Sequence, residues 1–150
     1  MAHTFTNLLT HIVFSTKGRA PYLEEEVQPR LFAYLGGIVQ QLKGQPIQIN
    51  GTADHVHLLV ALPPALSVSE LLRVVKANSS RWVHEQWPSR RSFAWQEGYG
   101  AFSVSPSNAG RVLDYIRNQQ AHHRKVTFQE EFLTFLKKHD IAYDERYLWA

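Results

Sequence analysis

The chain has no cysteine. Disulfide staples and thiolate metal sites are therefore excluded, and any metal must be held by nitrogen and oxygen. The same absence makes a cytoplasmic setting the expectation. No apolar run approaches the roughly 18 residues of a membrane span, and the N-terminus lacks the apolar core of a signal peptide, so no membrane role is expected. There is no internal repeat, low-complexity segment or linker. The 150 residues then read as one domain, 1–150, with a single sizeable core. Strong charge of one sign is lacking too. Sixteen Lys and Arg against 13 Asp and Glu leave +3 at neutral pH, with a pI near 9.3. That mild excess suits a polyanionic partner without requiring one. Eight histidines hold positive charge in reserve at lower pH.

What is present is a clear alternation of strand and helix patterns. Phe5 to Ser15 carries Leu8, Leu9, Ile12, Val13 and Phe14 and reads as a first strand. The basic turn Lys17-Gly18-Arg19-Ala20-Pro21 follows. From Glu24 to Leu42, apolar residues at Val27, Leu31, Leu35, Ile38 and Leu42 recur at helical spacing behind an acidic first turn. Ile47 to Asn50 alternates as a second strand, and Asp54 leads into a third that ends at Leu62-Pro63-Pro64. Two strands this close should form a hairpin. Ser67 and Glu70 form a capping box for a helix reaching about Glu85. A basic loop, Pro88 to Ser92, precedes one or two more strands at Phe93–Gln96 and Gly100–Val104. Ser105-Pro106 signals a helix running to about Arg124. Thr127 to His139 is a last amphipathic helix, and the tail Tyr143 to Trp149 is too aromatic to be idle solvent filler. The order strand, helix, strand, strand, helix, strand predicts an α+β, ferredoxin-like split βαββαβ fold. Its sheet is antiparallel with helices on one face, and extra C-terminal helices follow.

The chemistry concentrates in Asp54-His55-Val56-His57-Leu58-Leu59-Val60. Strand alternation sends His55 and His57 to one face and Val56, Leu58 and Val60 to the other. Two imidazoles on a rigid strand can grip one metal ion. Downstream, Tyr115 and Gln119 stand four residues apart, on one face of a helix. A phenol is a possible nucleophile, and a glutamine carbonyl is a neutral oxygen ligand. Placed against the histidines, Gln119 would complete a three-ligand set and leave about three positions of an octahedral ion for water and phosphate oxygens. Asp54 reads either as an orienting acceptor for a histidine or as a turn residue. His122 and His123, one turn beyond Gln119, read either as lining the site or as exposed residues that act as partial cations at a helix C-terminus. Gly110 is either a hinge for the tyrosine helix or simply a poor helix-start residue.

Asp54-His55-Val56-His57-Leu58-Leu59 followed by Tyr115-x-x-x-Gln119 resembles the HUH motif and catalytic tyrosine of IS200/IS605-type single-tyrosine (Y1) transposases. The likeness extends to His11-Ile12-Val13-Phe14, to Lys76-Ala77-Asn78-Ser79-Ser80-Arg81 and to the run from Trp95 to Ser105. It includes the tail Tyr143-Asp144-Glu145-Arg146-Tyr147. It implies an enzyme that cuts and rejoins single-stranded DNA at hairpin-bearing element ends. Tyr115 would be the nucleophile, giving a 5′-phosphotyrosine and a free 3′-hydroxyl. His55, His57 and Gln119 would bind Mg²⁺, with Mn²⁺ a possible substitute. The resemblance also implies a homodimer in which the tyrosine helix of one subunit completes the histidine site of the other. Candidate DNA contacts are Lys17, Arg19, Lys76, Arg81, Arg90, Arg91 and Tyr99.

Two rival readings remain. A zinc-dependent phosphohydrolase could use the alternating histidines, but the histidine-triad enzymes need a third where Leu59 stands. A domesticated or REP-associated hairpin binder on the same fold would retain the scaffold without requiring cleavage.

Overall fold

The computed structural model describes residues 3–150. Four strands, β1 (Leu8–Ser15), β2 (Gln45–Gly51), β3 (His55–Leu62) and β4 (Gly100–Ser103), form one sheet in the order β2-β3-β1-β4. Every neighbouring pair is antiparallel. Helices α1 (Gln28–Gln41) and α2 (Val68–Gln86) are the two crossovers. This is the split βαββαβ arrangement the element order predicts.

One face of the sheet is conventional. Ile12 and Phe14 of β1 and Val56, Leu58 and Val60 of β3 bury against Leu31, Leu35 and Ile38 of α1 and Leu71, Leu72 and Val75 of α2. The other face is covered as well, by α3 (Ala109–Arg117), α4 (Gln119–His122) and α5 (Phe128–Lys138). Val13 packs with Phe102, Phe128, Phe132 and Leu136. Leu59 packs with Val104 and Ile116. The central strands are therefore buried on both sides, and β3 reads as an unbroken run of buried residues up to Val60. His55 and His57 sit within this second layer rather than on an open face, each with no exposed surface.

Several local features differ from the sequence expectation. The regular ladder of α1 starts at Gln28, so Glu24 to Glu26 lie in a preceding turn rather than in the first helical turn. Phe93–Gln96 contributes only an isolated bridge, Thr16 to Trp95. Its aromatic rings turn into the core, and the Trp95 indole donates to Ser79 Oγ at 2.9 Å. The predicted long helix after Ser105 is broken. Pro106–Asn108 is a 3₁₀ turn, α3 ends at Arg117 and α4 restarts at Gln119. The Asn50 side chain explains where it stops. Its Nδ2 donates to the carbonyls of Ile116 at 2.9 Å and Arg117 at 3.1 Å, capping the end of α3 from the sheet edge. The tail forms a short α6 (Glu145–Leu148). Trp149 packs near Phe128 and Phe132.

The hairpin between β2 and β3 is tight. A Cβ at Gly51 would run into the backbone of His55, so the turn needs glycine to bring His55 directly into the strand. No helix among the described residues is long and apolar enough to cross a membrane.

Candidate active site

His55 and His57 project from β3 under the C-terminal helices. Their outer nitrogens face one carboxylate, that of Glu131 on α5. His57 Nε2 lies 2.9 Å from Glu131 Oε1, and His55 Nε2 lies 3.5 Å from the same oxygen. The other oxygen, Oε2, accepts a hydrogen bond from the Tyr115 hydroxyl. It also accepts from Gln119 Nε2 at 3.2 Å, and His123 Nε2 approaches it to 3.0 Å. The Tyr115 ring stands 5.8 Å from that of His57, edge to face. Tyr115 and Gln119 thus reach the histidine pair within one chain. The Asn50 cap holds α3 against its own β2.

Each strand histidine has a partner on its inner nitrogen. His55 Nδ1 donates to Asp54 Oδ1 at 2.7 Å, and Thr52 Oγ1 donates to the same carboxylate at 3.1 Å. Asp54 is therefore an orienting acceptor, the first of its two readings. His57 Nδ1 and His11 Nε2 are 2.8 Å apart, one N–H facing the other's lone pair. The register explains the reach. His11 pairs with Leu59 and Val13 with His57, so His11 and His57 are diagonal neighbours on one face.

With Nδ1–H donated to Asp54, His55 turns Nε2 toward Gln119 Oε1, 3.0 Å away. Either a bound cation or a proton on Nε2 satisfies that pair. His123 Nε2 is buried and makes no aligned hydrogen bond. His55, His57, His123 and Glu131 bring ligand atoms within 4.8 Å of one another. Three imidazole nitrogens and a carboxylate oxygen converging in this way can hold a metal ion, and the residues fit that role.

The charges follow from this enclosure. Burial works to raise the Glu131 carboxyl, but the close imidazoles of His123 and His57, at 3.0 and 2.9 Å, and the imidazole charges outweigh it and hold it far below the usual range. Burial, the Glu131 charge and its hydrogen bond push the Tyr115 phenol well above its ordinary value. Burial lowers His57 to about 4, against the opposing pull of Glu131.

Sequence reasoning missed Glu131, and of the two readings of His123 the structure gives the one that lines the site. Glu131 is 2% exposed. It lies on the buried stripe of α5 between Phe128, Phe132 and Leu136. An acid on an otherwise apolar helix face was the available signal. Gln120 points elsewhere, donating to Gln28 Oε1 at 3.2 Å.

A cavity of about 410 Å³ opens beside Tyr115, lined by His11, Arg111, His122, Glu131, Thr134 and Lys138 among others. None of the sequence-predicted DNA contacts lines it. Lys76 instead donates to the carbonyls of Gln96, Glu97 and Gly98 at 2.9, 3.2 and 2.6 Å. Its ammonium lies 5.6 Å from the Tyr99 ring. Arg19 lies over the Trp149 ring at 5.4 Å. Arg90 pairs with Glu24 at 2.8 Å and Glu26 at 3.4 Å. Arg81 meets Asn78 at 3.2 Å on the exposed side of α2. Lys17 and Arg91 are exposed.

The comparisons agree with one another. The family described as "Transposase IS200 like" matches residues 4–119. The transposase of insertion sequence IS200 from Salmonella typhimurium is 30% identical over 124 residues, covering 79% of this chain and 81% of that protein. A Deinococcus radiodurans transposase candidate of known crystal structure superposes with a TM-score of 0.66. It is 24% identical and covers 79% of this chain and 95% of its own. A REP-associated tyrosine transposase solved with a REP hairpin superposes at 0.61. It is 12% identical and covers 84% of this chain and 74% of that one. With the family match spanning both the His55-x-His57 strand and the Tyr115 helix, this chain belongs to the IS200-like Y1 transposases.

Proposed function

We propose that the chain cleaves and rejoins single-stranded DNA at hairpin-bearing element ends, with Tyr115 as nucleophile. One observation carries this reading. The Tyr115 hydroxyl and the outer nitrogens of His55 and His57 reach the same carboxylate, Glu131, from opposite sides. That shared carboxylate brings the phenol and the histidine pair within reach of one phosphate group.

In the reaction, the Tyr115 oxygen bonds to phosphorus and its phenol proton departs. The bond from phosphorus to the 3′-oxygen breaks, and that oxygen takes up a proton to become a free 3′-hydroxyl. The 5′ side remains as a phosphotyrosine. The link conserves the ester, so a 3′-hydroxyl can reverse the step and join new ends. A divalent ion, Mg²⁺ or Mn²⁺, bound among His55, His57 and Gln119 would polarise the scissile phosphate and offset its developing charge. Asp54 and His11 fix the imidazole orientations. The cavity between α3 and α5 offers the strand a path to Tyr115, and Arg111 and Lys138 on its wall supply cations for flanking phosphates. The family resemblance supports a homodimer as the working assembly. The hairpin preference is carried over from the REP-associated relative, whose structure holds one.

The test is incubation of the purified chain with Mg²⁺ or Mn²⁺ and a labelled single-stranded oligonucleotide carrying a subterminal hairpin. A covalent protein–DNA adduct is expected, and Tyr115→Phe should abolish it. An undiminished adduct in that variant would overturn the assignment.

A further inference from the structure

We infer that the metal centre takes two ligands from the C-terminal part of the chain, the His123 imidazole and the Glu131 carboxylate. It is then a three-histidine, one-carboxylate site in place of a His-His-Gln one. This rests on the metal-assisted reading above. Both added ligands lie beyond residue 119, where the family match ends.

Three observations converge. Glu131 oxygens lie 2.9, 3.5 and 3.0 Å from the nitrogens of His57, His55 and His123. An ion with bonds of about 2.1 Å holds its ligand atoms roughly 3–4 Å apart, and the four ligand atoms here lie within 4.8 Å of one another, so the cluster has only to draw inward onto the ion. Next, the buried His123 Nε2 has no aligned hydrogen-bond partner, although it is directed at this carboxylate. A buried ring nitrogen left in that state is poised for a cation. Finally, His55 and His57 are already fixed on their inner nitrogens by Asp54 and His11. Such partners orient ligating imidazoles.

The donor set also bears on metal identity. Mg²⁺ seeks oxygen and keeps several waters, whereas three imidazoles and one carboxylate suit Mn²⁺, Zn²⁺ and their neighbours. The centre should therefore prefer Mn²⁺ or Zn²⁺ to Mg²⁺. Gln119 becomes a positioning residue, since its Nε2 donates to Glu131 Oε2 at 3.2 Å. The same carboxylate accepts from Tyr115. Loading the metal would thus clasp α5 to β3 and set the nucleophile beside it.

The test needs no DNA. The metal-free full chain is titrated with Mn²⁺ and, separately, Mg²⁺ by calorimetry, with circular dichroism confirming the fold of each variant. Glu131→Gln and His123→Ala should each weaken Mn²⁺ at least tenfold, and wild type should bind Mn²⁺ at least tenfold more tightly than Mg²⁺. Electron spin-echo spectroscopy of Mn²⁺ on wild type should count three coordinated imidazoles, a readout independent of whether the variants fold. Two imidazoles, or variants that bind Mn²⁺ like wild type, would overturn the inference. If Glu131 were instead a plug in the phosphate position, Glu131→Gln would leave Mn²⁺ affinity intact and raise adduct yield, which also overturns it. Wild type that binds no divalent ion would overturn both this and the metal half of the proposed function. The Tyr115 adduct would then be judged separately.

Discussion

Burial pushes the His57 imidazole down to about 4, with Glu131 opposing, and the His11 imidazole down to about 3, helped by the neighbouring His57. In the fold both rings stay neutral at pH 5, where the unfolded chain, titrating near its ordinary value of about 6.5, binds protons. Between those limits the unfolded state therefore binds more protons. The stability these rings contribute is full above about pH 6.5 and is lost as pH falls toward 4. Glu131, held low, acts in the same direction at the acid end. His123 is raised and acts oppositely, losing its contribution as pH rises. Metal-free protein should thus lose on the order of a few kcal/mol between pH 7 and 4, read by denaturant midpoints. A stability that stays level across this window would contradict the enclosed-histidine picture. At this scale the sequence was half legible. Alternation placed His55 and His57 on one face, and a four-residue step placed Tyr115 with Gln119. Glu131 escaped because its partners lie 8 to 76 positions away and no local spacing links them.

Among the elements, the strand and helix order was readable from periodicity, because each strand and crossover helix buries a patterned face. The break at Asn118 was not, since it depends on a side chain from β2 reaching across to α3. Asn50→Ala removes both bonds to the end of α3. It should cost about 1–2 kcal/mol and lower adduct yield as Tyr115 loses its fixed distance. Full stability in that variant would dismiss the cap. Lys76 belongs to the same scale. Burial lowers its ammonium to about 8, and its bonds to Gln96, Glu97 and Gly98 hold the chain leading into β4. Lys76→Met should destabilise by about 1–3 kcal/mol while leaving the salt dependence of DNA binding unchanged. The opposite pattern, intact stability with a salt slope reduced by about one, would return Lys76 to the DNA contacts.

Taken as a whole, the molecule buries its reaction centre between the sheet and a C-terminal layer. The tyrosine helix was expected against the histidine face, but the part of α5 in closing that layer was not, because Glu131 and its apolar neighbours meet the sheet only through tertiary packing. Within one chain the layer brings the tyrosine to the histidines through Glu131, and a site made wholly from one chain has a direct test. Mixing His57→Ala with Tyr115→Phe protein should therefore not restore cleavage. Restored activity would show that sites are completed between subunits after all. The central claim is that the Tyr115 oxygen and the His55–His57 centre act on one phosphorus atom. Its most direct test is tandem mass spectrometry of the protease-digested protein after reaction with the hairpin oligonucleotide. The account predicts a nucleotide 5′-phosphate attached to Tyr115. A phosphonucleotide on another residue, or cleaved DNA with no covalent protein, would contradict it.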